Sequence, residues 1–130
     1  MYVQLKDYKA GRRANPNMSA MVQDLTKEDM KALAEHFSTK EWPRVIADSD
    51  DSKAAAGESA LSAGQCSQCH STYKGDSRVP RLAGQQRLYL QQTMSDFKNK
   101  VRLNSPAKGS LMDSFDEDAL QAMAYHLSNL

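Results

Sequence analysis

An all-α fold follows from three features of the chain. Apolar residues recur at helical spacing in several segments, the two ends of the chain repeat one another's helix and loop pattern, and the only two cysteines stand in the run Cys66-Ser67-Gln68-Cys69-His70. The third feature says what the helices surround. One turn of helix presents both thiols to the two vinyl groups of a haem as thioethers, and the histidine directly after the second swings under the iron as the proximal imidazole. The expected architecture is a helical domain around one covalent haem c, held through Cys66 and Cys69 with His70 on the iron.

Other readings of the motif explain less of it. A thioredoxin-like redox pair wants a βαβ context, and nothing strand-like surrounds these cysteines. Zinc needs four ligands, and His36 and His126 lie inside helical patterns with no partner at ligand spacing. A disulfide across two residues closes too small a loop to stabilise much. None of these gives His70 a reason to be adjacent.

In chain order, residues 2–10 read as a helix with Leu5 and Tyr8 on one face, broken by a loop over 11–17 that contains Gly11 and Pro16. After Met18 and Met21, Thr26 caps a second helix, with Asp29 three residues on approximating a capping box. Met30, Leu33, Ala34 and Phe37 form its apolar face, and Trp42-Pro43 stops it. The Asp- and Ser-rich stretch 43–52 reads as a linker. An Ala-rich helix then starts near Lys53 and runs into the cysteine motif. A polar loop with Gly75, Asp76 and Ser77 leads to Val79–Gln85 and to a helix over about 85–99, with Leu88, Tyr89, Gln92 or Thr93, and Phe97 facing inward. A loop over 102–114 carries Pro106, Gly109 and Met112. The last helix, capped by Asp116, places Leu120, Met123, Ala124 and Leu127 on its apolar face.

Residues 5–15 parallel 94–104, and 25–38 parallel 115–128, with Ala32/Ala122, Ala34/Ala124, His36/His126 and Ser38/Ser128 identical. The offset grows by one between the blocks, so the second copy has one extra loop residue. Duplication is the simplest account. Three units result: a partial, haem-less half-domain at 1–42, a linker at 43–52 and a complete domain at 53–130.

The 130 residues carry a formal net charge of +1 with 25% charged residues, which gives no reason to expect nucleic acid. No apolar run is long enough to span a bilayer, so membrane association is expected only through partners. Haem attachment to such a motif takes place outside the bacterial cytoplasm, which implies a periplasmic protein. Residues 1–6 lack the apolar core of an export signal, so either a signal was removed or the chain is a piece of something longer.

Together, Cys66 to His70, Val79–Gln85, Tyr89, Asp96-Phe97-Lys98, the methionine-bearing loop and the capped terminal helix resemble the class I c-type cytochromes of the two-domain, dihaem cytochrome c4 type. The resemblance covers 53–130, and 2–42 look like the second half of a preceding domain. It implies the class I cytochrome c fold, with an early helix crossing the terminal one and a methionine from the late loop as sixth ligand. It also makes the carbonyl of Pro80 the group that holds His70 through its other ring nitrogen. Arg78, Arg81 and Gln85 become candidates for the haem propionates or solvated surface residues.

The family places its axial methionine seven residues before the hydrophobic residue that precedes the terminal helix. In the first copy that count lands on Met18, but in the second it lands on Lys108. Met112, the only methionine in that loop, is the favoured ligand; Lys108, an open position, or Met18 supplied by the half-domain are the alternatives. Met94 and Met123 lie on helices and read as core.

With both axial positions filled, such a protein exchanges electrons with little reorganisation. The expected function is therefore electron transfer between periplasmic or membrane-bound partners, such as a quinol-oxidising complex, a terminal oxidase or another dehydrogenase, and not catalysis. A haem enzyme or gas sensor with an open sixth site, and a non-autonomous fragment, remain as alternatives. The apolar face of the half-domain must be buried somewhere, on the complete domain or in a homodimer.

Overall fold

The computed structural model describes residues 1–43, 50–76 and 78–130. Among them are eight helices and no strand: α1 (Tyr2–Lys9), α2 (Pro16–Val22), α3 (Lys27–Ser38), α4 (Asp51–Ala63), α5 (Ser67–His70), α6 (Arg87–Lys98), α7 (Pro106–Met112) and α8 (Glu117–Ser128). Most of the linker expected at 43–52, and Ser77 of the polar loop, lie outside the described residues.

The centre of the molecule is the crossing of α4 and α8, with α6 packed on α8 and α7 on α6. Leu120, Met123, Ala124 and Leu127 are all within 1% of full burial, so the apolar stripe of α8 is the face the sequence predicts. Leu61 of α4 and Leu90 and Met94 of α6 complete this cluster. Each large side chain so buried contributes about 1.5–3 kcal/mol.

Gly57 permits the crossing. A β-carbon there would lie 2.2 Å from the Ala122 carbonyl oxygen and 2.6 Å from the His126 β-carbon. The helix therefore accepts glycine's propensity cost, roughly 1 kcal/mol, in exchange for close backbone approach. His126 Nδ1 lies 2.9 Å from the Ala54 carbonyl oxygen at the same crossing, which accounts for this histidine structurally.

A smaller cluster of Leu5, Val22 and Met30 holds α1, α2 and α3 together, with Tyr8, Met18 and Leu25 packed against it. The capping box of α3 is formed as expected, Thr26 Oγ1 accepting from the Asp29 amide and Asp29 accepting from the Thr26 amide. Only part of the apolar face of α3 is covered. Met30 is buried, whereas Phe37 is 52% exposed.

Three local expectations are corrected. Helix α2 starts at Pro16, inside the loop expected at 11–17, and α7 fills the middle of the loop expected at 102–114, because Pro16 and Pro106 stand at the first helical position, where proline initiates rather than breaks. The Ala-rich helix begins two residues early, at Asp51, with Asp50 as its cap. On α6 the buried face is Leu90, Met94 and Phe97, and Leu88 is 77% exposed. That face is rotated about one residue from the expected one, because the Tyr89 hydroxyl accepts from Arg13 in the loop after α1.

The repeat recurs in backbone detail. The Asp7 carbonyl accepts from the Arg12 and Arg13 amides, and the Asp96 carbonyl accepts from those of Val101 and Arg102. Arg13 lies 4.7 Å over the Tyr8 ring, and Arg102 lies 4.5 Å over that of Phe97. The two copies meet here. Both arginines donate to Gln4 Oε1, at 2.7 and 3.0 Å; Arg13 also donates to the Tyr89 hydroxyl, and Asn104 to the buried Asp7 carboxylate. A cavity of about 230 Å³ lies between them, lined by Tyr8, Arg13, Tyr89, Gln92, Thr93 and Arg102 among others.

Candidate haem site

The cysteine motif follows the end of α4. Its first thiol is half-buried and its second exposed, both free. The Cys66 amide donates to the Leu61 carbonyl and the His70 amide to that of Cys66, so one tight turn spans the motif. Three residues without a glycine's freedom take positive φ around it: Gln65 at 52°, Ser71 at 48° and Tyr73 at 61°. Such conformations cost of order 1 kcal/mol each and persist where the surroundings hold them. Here the Tyr73 carbonyl accepts from both Leu82 and Ala83, tying the strand of chain after the motif back to it.

Cys66 belongs to an apolar wall. Tyr73, Leu82, Met112 and Phe115 are, like it, half-buried and packed against the central cluster. Phe115 also approaches Gly64, where a β-carbon would stand 3.0 Å from its ring and 3.1 Å from Cys66 Sγ. Burial pushes the Cys66 thiol pKa up, so the group stays protonated at neutral pH.

His70 Nδ1 is buried and has no hydrogen-bond partner. The Pro80 carbonyl is near enough to favour the protonated ring, short of a formed hydrogen bond. Burial, and next the positive charge of Lys108, outweigh it and hold His70 below the usual imidazole range, in the neutral form that ligates metal. Among the described residues no group of three or more His, Cys, Asp or Glu side chains converges as a metal site. The fit is instead to a haem: two thiols three positions apart on one turn, an orphaned buried imidazole nitrogen beside a carbonyl, and an apolar wall.

The structure brings Cys66, Cys69, His70 and Pro80 together and puts Met112 and Lys108 four residues apart on α7. Met112 packs against the core cluster. Lys108 is half-buried, with its amine 5.4 Å over the Phe97 ring. Of the propionate candidates, Arg81 is engaged elsewhere: it donates to the Ala83 carbonyl and lies 5.2 Å over Trp42, whose indole donates to the Gly84 carbonyl. Gly57, Gly64 and Trp42 were not singled out as site supports by the pattern of residues. The visible signal for Gly57 is a glycine within a helix otherwise rich in alanine.

This fold, with its terminal helix crossing an early helix ahead of the motif, is that of the class I c-type cytochromes. Comparison with known proteins narrows it further. Within that class the chain resembles cytochrome c4: it is 33% identical over 114 residues to the cytochrome c4 of Thiocapsa roseopersicina, covering 79% of this chain and 58% of that protein. It is 27% identical to the thiosulfate dehydrogenase electron acceptor of Stutzerimonas stutzeri, covering 98% of this chain and 64% of that one. The chain thus spans about 60% of these relatives' length. The solved cytochrome c4 of Acidithiobacillus ferrooxidans superposes with a TM-score of 0.87 at 28% identity, over 100% of this chain and 82% of that one. Cytochromes of this class carry covalent haem c. No protein-family model matches the chain.

Proposed function

We propose that the chain carries one haem c, attached through Cys66 and Cys69 and ligated by His70, and that it shuttles single electrons between redox proteins of the periplasm. The observation that carries this reading is the buried, unpartnered Nδ1 of His70 on the same turn as two free thiols, against an apolar wall. A bound haem supplies a one-electron couple at its iron. The chain's residues do the rest. Cys66 and Cys69 would hold the group covalently, the Pro80 carbonyl would accept from His70 Nδ1 and orient the ring, and the wall of Tyr73, Leu82 and Phe115 would exclude water.

The sixth ligand is assigned to α7, which carries both Met112 and Lys108. Residues 1–42 stand as the trailing half of a preceding cytochrome domain and 53–130 as a complete one. The relative named for accepting electrons from thiosulfate dehydrogenase supports a partner of that kind, a dehydrogenase, over a small-molecule substrate.

Expression with a haem-attachment system, followed by a redox titration, tests the reading. A single reversible one-electron transition in a chain carrying covalent haem is expected. Multi-turnover oxidation of a small substrate without a protein partner would overturn it.

A further inference from the structure

Trp42 reaches across the chain to the segment that closes the cysteine motif. Its indole Nε1 donates to the Gly84 carbonyl at 3.1 Å, 42 residues later in the sequence. The Arg81 guanidinium lies 5.2 Å over the indole ring, and Arg81 Nε donates to the Ala83 carbonyl at 2.8 Å. Gly84 makes room for this contact. It takes φ 70°, and a β-carbon on it would stand 3.0 Å from the indole Nε1 and 3.3 Å from Cδ1, so the indole occupies the space of a side chain. The same segment is fastened to α8, where the Gly84 amide donates to the Leu127 carbonyl, and Ala83 is 1% exposed.

From there a run of backbone hydrogen bonds leads to His70. The amides of Leu82 and Ala83 donate to the Tyr73 carbonyl at 2.8 and 2.9 Å, and the Tyr73 amide donates to the His70 carbonyl at 2.8 Å. Gly75 lets the intervening chain fold back tightly, since a β-carbon there would lie 2.5 Å from the Arg81 amide nitrogen. Tyr73 holds φ 61°, a conformation that persists only where the surroundings fix it. Tyr73 and Leu82 are also part of the apolar wall beside Cys66. Residues 81–84 therefore join Trp42, the terminal helix and the turn that carries His70.

We propose that Trp42 is a positioning residue for the haem site: with Arg81 it clasps residues 81–84, which through the Tyr73 carbonyl hold the His70 turn and keep the wall closed to water. The assignment rests on the haem reading above. An apolar shell that excludes solvent disfavours the extra positive charge of ferric iron and so raises the reduction potential. Releasing the clasp admits water beside the motif and favours the ferric state.

Two readouts on the full-length, haem-loaded protein test the clasp. Trp42→Ala is expected to lower the reduction potential and to speed amide hydrogen exchange at Leu82 and Ala83 severalfold, while the amide of Met123 in the α8 core exchanges as before. Trp42→Phe keeps a ring for Arg81 but loses the donor to Gly84, and its potential is expected to fall between the two. A potential that Trp42→Ala leaves unchanged or raises overturns the proposal. So does exchange that accelerates equally at Met123, which would make Trp42 a general stabiliser of the fold. Should Trp42→Ala not fold, Trp42→Phe decides alone: a lowered potential supports the clasp and an unchanged one overturns it. A chain that never acquires covalent haem overturns the functional reading itself, an outcome distinct from a haem protein whose potential ignores Trp42.

Discussion

Gly57 and Asp7 show how much single side chains decide. With the Ala122 carbonyl 2.2 Å from where its β-carbon would be, Gly57→Ala forces α4 and α8 apart. The expected loss, about 1–3 kcal/mol, is read by chemical denaturation of the haem-loaded chain. Asp7 is buried and meets the Arg12 guanidinium at 3.0 Å and Asn104 at 2.8 Å. Burial raises its carboxyl pKa, but the hydrogen bonds from Asn104 and Arg12, then the charges of Arg12 and Arg102, hold it below the usual range. A carboxylate whose folded pKa lies below its unfolded one contributes stability above the unfolded value, and that contribution is lost as pH falls through the folded value. Asp7→Asn is therefore expected to lower stability at neutral pH by about 1–3 kcal/mol and to flatten its loss as pH falls below about 4, as followed by urea titration at several pH values. The residue pattern alone marks Gly57 only as a glycine in an alanine-rich helix and does not mark Asp7 at all. Glycine in a helix and aspartate in a short amphipathic segment carry no sign of what lies across from them.

At the scale of helices, α8 and α3 were legible and α2, α7 and the face of α6 were not. A long amphipathic stripe behind a good cap, as in α8 after Asp116, is specified locally. A seven-residue helix opened by proline has the same local signal as a turn, and only its packing onto α6 distinguishes them. The face of α6 turned because Tyr89 hydrogen bonds to Arg13, 76 residues earlier in the chain, a contact no periodicity contains. Burial raises the Tyr89 phenol, but that hydrogen bond and the charges of Arg13 and Arg102 outweigh it and leave its pKa lowered. Arg13→Ala removes both this bond and the one to Gln4. Limited proteolysis of that variant is expected to release α1–α3 severalfold faster while the haem spectrum stays intact. An equal rate would mean that the arginines do not hold the copies together. By contrast, Leu120→Ala, at the centre of the larger cluster, is expected to cost about 2–5 kcal/mol in thermal or denaturant unfolding.

The whole molecule is a helical core around the α4–α8 crossing that carries the cysteine motif, joined to the smaller cluster of α1, α2 and α3. The cysteine motif was legible because covalent haem attachment needs two cysteines and a histidine at fixed positions within five residues, a constraint far stronger than amphipathicity. The distal side was harder to read, since methionine and lysine both serve elsewhere as ordinary helix residues and α7 carries one of each, Met112 and Lys108, both half-buried. Much of the apolar surface buried by a domain of this size is expected to be the haem's own, so the haem-free chain should unfold at far lower denaturant concentration. The most direct test of the central claim is the mass of the denatured chain after expression with a haem-attachment system. One haem retained through denaturation, and lost as a covalent adduct in the Cys66→Ser/Cys69→Ser double variant, is the predicted result. An unmodified mass, or haem that separates from the chain on denaturation, would contradict it.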